Sequence, residues 1–335
     1  MALQFIRVDN QLLLASQIML YFSIQMEKPK KFGATDVFML IAILFWAVNF
    51  SFVKIALREF SPLGFNGIRL FFASLILIFI LLLSREGFSI AKSDLWKMFV
   101  LGIIGNTVFQ LFFIHGLNWT TASNTSIVMA LTPVFVALLS TLLKQERLHW
   151  AAWLGIVISF MGFYLVITPQ FGTFDFKWSS LRGDLLIFIG NIFWAIYTVF
   201  SKPLLGRISP LKWTTATLAI GAFFYLPFSA KDILQLRWSD VSLQAWAALF
   251  YSGLFAIAIS YVIWYASVKR VGNSKTAIYG NITPVFAVIS AYVLLSETLT
   301  LAQLMGALVI LAGVYLTRSG YRFFMKTKAS DLQKF

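Results

Sequence analysis

Thr132-Pro133-Val134-Phe135 lies inside an apolar run, with Glu146 eleven residues past Phe135. It returns as Thr283-Pro284-Val285-Phe286, with Glu297 eleven residues past Phe286. The shift is 151 residues, close to half of the 335-residue chain. A proline within a long apolar segment lacks a backbone donor and clashes with the preceding turn. Each segment therefore predicts a helix broken near its middle. Two broken hydrophobic helices at matching places in two halves are a pointer to a transporter's binding site.

Composition sets the medium. Hydrophobic residues make up 59% of the chain and charged ones only 12%, with a mean hydropathy of +0.82. A soluble chain carries about twice that charged fraction. Apolar runs of near membrane length, separated by short charged loops, make this an integral membrane protein. With no cysteine, disulfides, thiol catalysis and cysteine metal sites are excluded. Two histidines, His115 and His149, cannot build an imidazole-rich metal centre, and no cofactor is expected.

Ten spans are predicted: 36–57, 64–84, 95–115, 122–143, 150–168, 184–203, 211–230, 243–267, 275–295 and 301–319. The fold class is thus all-α. Residues 1–35 read as an interfacial or disordered leader, whose apolar stretch from Leu12 to Phe22 is too short to cross ~30 Å of hydrocarbon. Met26, ahead of Glu27-Lys28-Pro29-Lys30-Lys31, would serve as a start. Residues 320–335 read as a basic tail. Lys and Arg number 20 over the leader, the 2–3, 4–5, 6–7 and 8–9 loops and the tail, against 5 on the other side. That bias predicts both termini in the cytoplasm. It also accounts for the net charge of +14 without a nucleic-acid partner.

The repeat extends through both halves. At a shift of 148, Asp36, Phe45-Trp46-Ala47, Lys54 and Ser61-Pro62-Leu63 match Asp184, Phe193-Trp194-Ala195, Lys202 and Ser209-Pro210-Leu211. At a shift of 151, Thr125, Pro133, Glu146, Gly155 and Gly162 match Thr276, Pro284, Glu297, Gly306 and Gly313. Each half (36–168 and 184–319) has five spans, an odd number, so the second half enters the membrane from the opposite side. Two inverted five-helix repeats are the arrangement of many secondary carriers. Glu146 is then expected at the cytoplasmic surface and Glu297 outside.

Phe45-Trp46-Ala47-Val48-Asn49-Phe50, then Lys54, Ser61-Pro62 and Arg69, resembles the first two helices of the ten-helix EamA-type permeases of the drug/metabolite transporter superfamily. His115-Gly116-Leu117-Asn118-Trp119-Thr120-Thr121-Ala122-Ser123, followed by Thr132-Pro133-Val134-Phe135 and Glu146, is similar to that family's passage from third to fourth helix. The resemblance covers roughly residues 36–319. Ala47 departs from it, standing where the family usually has Gly, and Thr217 stands where the repeat would place a partner of Arg69. The resemblance implies alternating access around a central cavity lined mainly by spans 1, 3, 4, 6, 8 and 9.

Polar groups within spans are costly unless they meet partners or water, so they are functional candidates. Asn106 and Gln110 share a face of span 3. Asn49 lies near Trp46 on span 1, and Asn191 near Trp194 on span 6; these four would face each other if the two spans cross at the centre. These amides either line a cavity or glue the bundle, at about 0.6 kcal/mol per bond. Tyr261 and Tyr265 on span 8, with Tyr279 and Asn281 ahead of Pro284, could hold a planar or apolar solute or pack the core. Trp150, Trp178, Trp213 and Trp238 are expected to anchor span ends at the interface. Lys54 and Lys202 are expected to snorkel to the headgroups. Arg69 is expected to brace carbonyls or a helix C-terminus, and Glu146 and Glu297 to make loop-end ion pairs or caps. Pro133 and Pro284 are hinges or static kinks. Gly155/Gly162 and Gly306/Gly313 suit close packing of spans 5 and 10, within the chain or in a homodimer.

No carboxylate sits near the middle of any predicted span, and His115 is the one nearby group titrating around neutral pH. A neutral, zwitterionic or mildly anionic solute fits this better than a cation. The chain therefore reads as a secondary carrier of small, amino acid-like metabolites in a bacterial-type inner membrane, monomeric or homodimeric. No GxxxxGK[ST] motif for nucleotide occurs. A non-transporting receptor or scaffold is the alternative, and an intramembrane enzyme lacks any nucleophile–base pair or acid dyad.

Overall fold

The computed structural model describes residues 33–332, apart from Arg85, Phe88, 145–149 and 168–177, with side chains undescribed at 178, 179, 274, 278 and 318–332. The sequence expectations for residues 1–32, for Glu146, for His149, for the Trp178 ring and for residues 333–335 lie outside that description. Contacts divide the chain into Met1–Phe38 and Met39–Phe335. The described part of the first unit, residues 33–38, begins a helix in which Gly33 N–H donates to Asp36 Oδ2 at 2.7 Å. The rest of the architecture belongs to the second unit.

Among the described residues ten helices run in chain order: α1 (Ala34–Ala56), α2 (Pro62–Leu83), α3 (Lys92–Trp119), α4 (Ala122–Leu142), α5 (Trp150–Ile167), α6 (Trp178–Leu205), α7 (Pro210–Gln235), α8 (Leu243–Val271), α9 (residues 273–295) and α10 (Leu301–Leu332). Nine of these are long and apolar enough to cross a membrane, and α10 contributes the shorter apolar stretch Leu301–Thr317. Large apolar side chains stand exposed along the outer faces, among them Phe79, Leu82, Met161 and Leu308. In water such a surface would drive aggregation, whereas in hydrocarbon it is the expected one. The chain is a multi-pass membrane protein. The α10 helix runs on through the basic segment to Leu332, well past the predicted span end at 319.

Local chemistry starts the helices in matched pairs. Ser61 and Ser209, 148 residues apart, each precede a Pro at the first helical position and each accept from an N–H three residues on, Gly64 at 3.2 Å and Lys212 at 3.1 Å. Proline is pre-organised for that position, and such a serine cap stabilises by about 1 kcal/mol.

The two predicted breaks are present. In α4, Ala122–Met129 and Thr132–Leu142 are separate helical pieces. In α9, Asn273–Tyr279 passes through a 3-10 turn, Gly280–Ile282, into Thr283–Leu295. Pro133 and Pro284 each occupy the second residue of the later piece.

Two π-helical stretches were not foreseen: Ile104–Val108 in α3 and Ser252–Ile259 in α8. They begin 148 residues apart and end 151 apart. The longer one in α8 absorbs the three residues by which the two repeat registers differ. A π stretch takes in extra residues without ending the helix, and such stretches gather at functional sites.

Packing obeys the inverted symmetry. A Cβ added at Gly155 would lie 2.5 Å from the Gly313 carbonyl oxygen, and one at Gly162 would lie 2.8 Å from that of Gly306. The 151-residue shift turns the first pair into the second, so α5 and α10 pack antiparallel with their glycine faces against each other. Those faces are occupied within the chain. The loops follow the same rule. Glu59 accepts from Ser242 N at 2.6 Å and from Ser242 Oγ at 2.7 Å, while Arg207 pairs with Asp94 at 2.8 Å. A shift of 148 maps Glu59 onto Arg207 and Asp94 onto Ser242, so each half ties its first loop to the start of the other half's third helix. The bonds from the Ser242 backbone N–H and hydroxyl hold the Glu59 carboxyl below its ordinary value.

Trp213 is a correction to the interfacial reading. It is fully buried, with Tyr197 stacked 6.2 Å away and Tyr265 edge-on, whereas Trp150 and Trp238 are exposed as expected.

Candidate functional site

A cavity lined from both halves of the chain, and open in part to solvent, lies at the centre of the bundle. Its floor is aromatic. Trp46 of α1 and Trp194 of α6, equivalent in the two repeats, meet edge to face with centroids 6.3 Å apart. Tyr261 and Trp264 of α8 complete the cluster at 5.0 and 6.0 Å from Trp194. Two hydrogen bonds fix ring orientation: Trp46 Nε1 donates to the Ala256 carbonyl at 2.7 Å, and Trp264 Nε1 to Thr198 Oγ1 at 3.3 Å. Ala256 belongs to the π stretch of α8, where the wider turn changes the pairing of backbone carbonyls.

Adjoining the aromatic floor, the polar part of the wall contains Asn49, Gln110 and Arg69. Gln110 follows the π stretch of α3, and its repeat equivalent is Tyr261. The two meet directly, Gln110 Nε2 donating to Tyr261 Oη at 2.9 Å. Asn49 is buried, and its Oδ1 has no partner among the described residues. Thr132 and Thr283, beside the two prolines, bring both broken helices to the cavity.

Arg69 is the main departure from expectation. It is 1% exposed, and its partners are side chains, not the carbonyls it was expected to brace. Its Nη1 bonds Ser252 Oγ at 2.8 Å, and its Nη2 bonds Asn66 Oδ1 at 2.5 Å and Gln110 Oε1 at 2.8 Å. Phe65 and Phe113 flank the guanidinium at 5.3 and 5.7 Å. Among the described residues no carboxylate pairs with it. The family resemblance puts the cavity mainly on spans 1, 3, 4, 6, 8 and 9; Arg69 adds the second. Sequence position alone could not separate bracing from lining, because both need a cation one turn or more inside a helix.

Carbonyl bracing falls instead to Lys54, whose Nζ reaches the Leu117, Asn118 and Thr120 oxygens at 3.2, 3.4 and 2.8 Å. Those lie at the C-terminus of α3, where carbonyls run out of helical donors. Lys54 therefore points into the protein and does not snorkel. Next to it, Glu297 accepts from Ala122 N and Ser123 N, both at 3.0 Å, and from Ser123 Oγ at 2.8 Å. This is the cap expected of Glu297. A left-handed Ser296, φ 56°, ends α9 and lets Glu297 N–H return to the Ala291 carbonyl, which aims the carboxylate across the bundle. Asp184, 1% exposed, accepts from Thr120 Oγ1 at 2.6 Å and Asn124 Nδ2 at 3.2 Å. Spans from both halves are tied together at this end. Nothing in the sequence marks Asp184 as buried, because it stands at the edge of its predicted span.

The other candidates sit elsewhere. Asn191 does not face Asn49. Its Nδ2 reaches the Val128 and Met129 carbonyls at 3.2 and 3.4 Å, and its Oδ1 accepts from Thr132 Oγ1 at 2.7 Å. Pro133 cannot donate to the Met129 carbonyl four residues back, so Asn191 and Thr132 serve the break instead. Asn106 packs behind the cavity, where a Cβ added at Gly221 would be 2.9 Å from its backbone carbonyl carbon. Tyr265 is fully buried against Tyr197 and Trp194. Tyr279 and Asn281 flank Gly280, which lines the cavity, without lining it themselves. Phe50, Phe109, Phe113 and Trp264 line it and were not singled out, since nothing distinguishes a cavity phenylalanine among 35 of them.

The family model described as EamA-like transporter family matches residues 33–168 and 181–319, one copy on each repeat. An uncharacterized transporter of Archaeoglobus fulgidus is 28% identical over 82% of this chain and 95% of its own length. The uncharacterized transporter YyaM of Bacillus subtilis is 32% identical over 83% of this chain and 90% of its own. A protein of known crystal structure aligns with a TM-score of 0.63 at 19% identity, covering 87% of this chain and 98% of that one, which bears on the fold alone.

Proposed function

The chain belongs to the EamA-like transporter family, and from that premise we propose that it is a secondary carrier working by alternating access. Its cargo is a small, amino acid-like metabolite, neutral, zwitterionic or mildly anionic, and its place is the inner membrane of a bacterial-type cell. One observation carries this reading. The cavity lies where equivalent residues of two inverted halves meet, Trp46 with Trp194 and Gln110 with Tyr261, and both broken helices reach it. An inverted pair of halves around one site can exchange conformations and so expose that site to either side. The breaks at Pro133 and Pro284 serve as the points of bending.

The end tied by Lys54, Glu297 and Asp184 is taken as the outer one, following the distribution of Lys and Arg. Counterflow in proteoliposomes tests the carrier reading. Vesicles preloaded with unlabelled solute, drawn from a panel of amino acids, organic acids and nucleosides, should accumulate the same labelled solute without any ion gradient. No accumulation for any member would favour a receptor or scaffold that binds without moving its ligand.

A further inference from the structure

We infer that Arg69 is the counter-charge for a carboxylate on the transported solute, whose remaining body is planar, apolar and seated against Trp46, Trp194 and Trp264. This rests on the carrier reading and narrows its substrate class.

A guanidinium keeps its proton at any ordinary pH, so Arg69 is a fixed positive charge deep in a membrane bundle. Removing such an ion from water costs several kcal/mol, which neutral acceptors offset only in part. Arg69 has three neutral acceptors and two phenylalanine faces. Its Nε has no acceptor among the described residues. Five N–H donors in a fixed fork match a carboxylate best. The described residues supply none, and Arg69 borders an open cavity. The missing acid is therefore expected to arrive with the cargo.

Placement supports this. Gln110 joins Arg69 to Tyr261, since its Oε1 accepts from the guanidinium while its Nε2 donates to the phenol. A bound carboxylate would thus find a polar patch already held in place. Beyond that patch the wall turns to tryptophan, with Trp46 and Trp264 5.4 Å apart. Flat ring faces favour a planar body. A cationic solute would meet Arg69 with no acid on the described cavity wall to offset it.

The test uses the purified full-length protein and two matched probe series, benzoate, benzamide and benzylamine, then indole-3-acetate, indole-3-acetamide and tryptamine. Binding is read by calorimetry and movement by exchange in proteoliposomes. We expect the acid of at least one series to bind about tenfold or more tightly than its amide, as loss of a hydrogen bond to a charged group implies, with no binding of the amine. Arg69→Gln should bring acid and amide to equal affinity, and Arg69→Lys should keep part of the preference. An amide bound as tightly as its acid by the unaltered protein would overturn the inference, whatever the variants' stability. So would an acid preference that survives in Arg69→Gln. Exchange of amides or amines without exchange of acids would leave the carrier standing and remove the carboxylate site. Failure of both series to bind or exchange would remove the inference, and a flat counterflow panel would remove the carrier with it.

Discussion

Asn191 shows how a polar residue inside a membrane bundle can serve the backbone alone. It supports two carbonyls at the break, that of Val128 together with Leu131 N–H and that of Met129 together with Thr132 Oγ1. Asn191→Leu should therefore destabilise the protein by about 1–2 kcal/mol, the net worth of the buried hydrogen bonds it makes there, read as a lower unfolding midpoint in detergent. An unchanged midpoint would mean that water or Thr132 alone satisfies the break. Glu59 offers a prediction in pH. Its carboxyl is held below the ordinary value of 4.5 by Ser242. A depressed carboxylate stabilises fully above its unfolded value, and that stabilisation fades as pH falls through the lower folded value. The melting gap between the unaltered protein and Glu59→Gln should be constant well above the ordinary value and close as pH falls through the lower folded one. A gap that widens in acid would contradict this. At this scale the sequence was only half legible. Several polar residues in the spans stood out, though not Asn66 or Ser252, and cavity, break and bundle positions look alike until helix rotation is known. Lys54 took the bracing role expected of Arg69 for that reason.

Helices were more legible than the residues on them. Proline at matching positions located both breaks, and serine before proline located two helix starts. The π stretches escaped because no residue type marks them. Gly105 and Gly253, second in each stretch and 148 apart, were the available sign. A Cβ at Gly253 would come within 2.8 Å of the Phe72 ring, and one at Gly105 within 2.1 Å of that of Tyr197. The wider turn also changes which face of α3 and α8 meets the cavity, putting Gln110 and Tyr261 on it while Asn106 and Tyr265 pack behind. The glycine seam of α5 and α10 makes a firm prediction. Gly162→Leu would push a side chain into the Gly306 and Ile310 backbone and should cost more than about 3 kcal/mol, beyond the usual range for overpacking. Met161→Leu, one position away and exposed on the outer surface, should leave the midpoint unchanged. Equal effects at both sites would contradict the seam.

On the scale of the whole molecule, two inverted halves exchange equivalents across a centre that neither half contains by itself. The pairings Trp46 with Trp194, Gln110 with Tyr261 and Gly155 with Gly313 all follow from that relation. This architecture was legible in outline because apolar length, loop charge and a repeat in register survive without coordinates. The cavity's polar patch was not, since it joins residues far apart in sequence. The two ends differ in their ties, and that difference is open to test. Glu297→Gln removes the charge that caps α4 and should loosen the end where Lys54 and Asp184 also bind. It should raise labelling of the cavity from that side by several-fold. The most direct measurement uses the absence of native cysteine. Thr283→Cys places one thiol on the cavity wall, and a membrane-impermeant thiol reagent is applied separately to right-side-out and inside-out vesicles. A carrier with a single alternating site predicts labelling from both faces, each slowed by a bound carboxylate solute. Labelling from one face alone, unchanged by any solute, would contradict it.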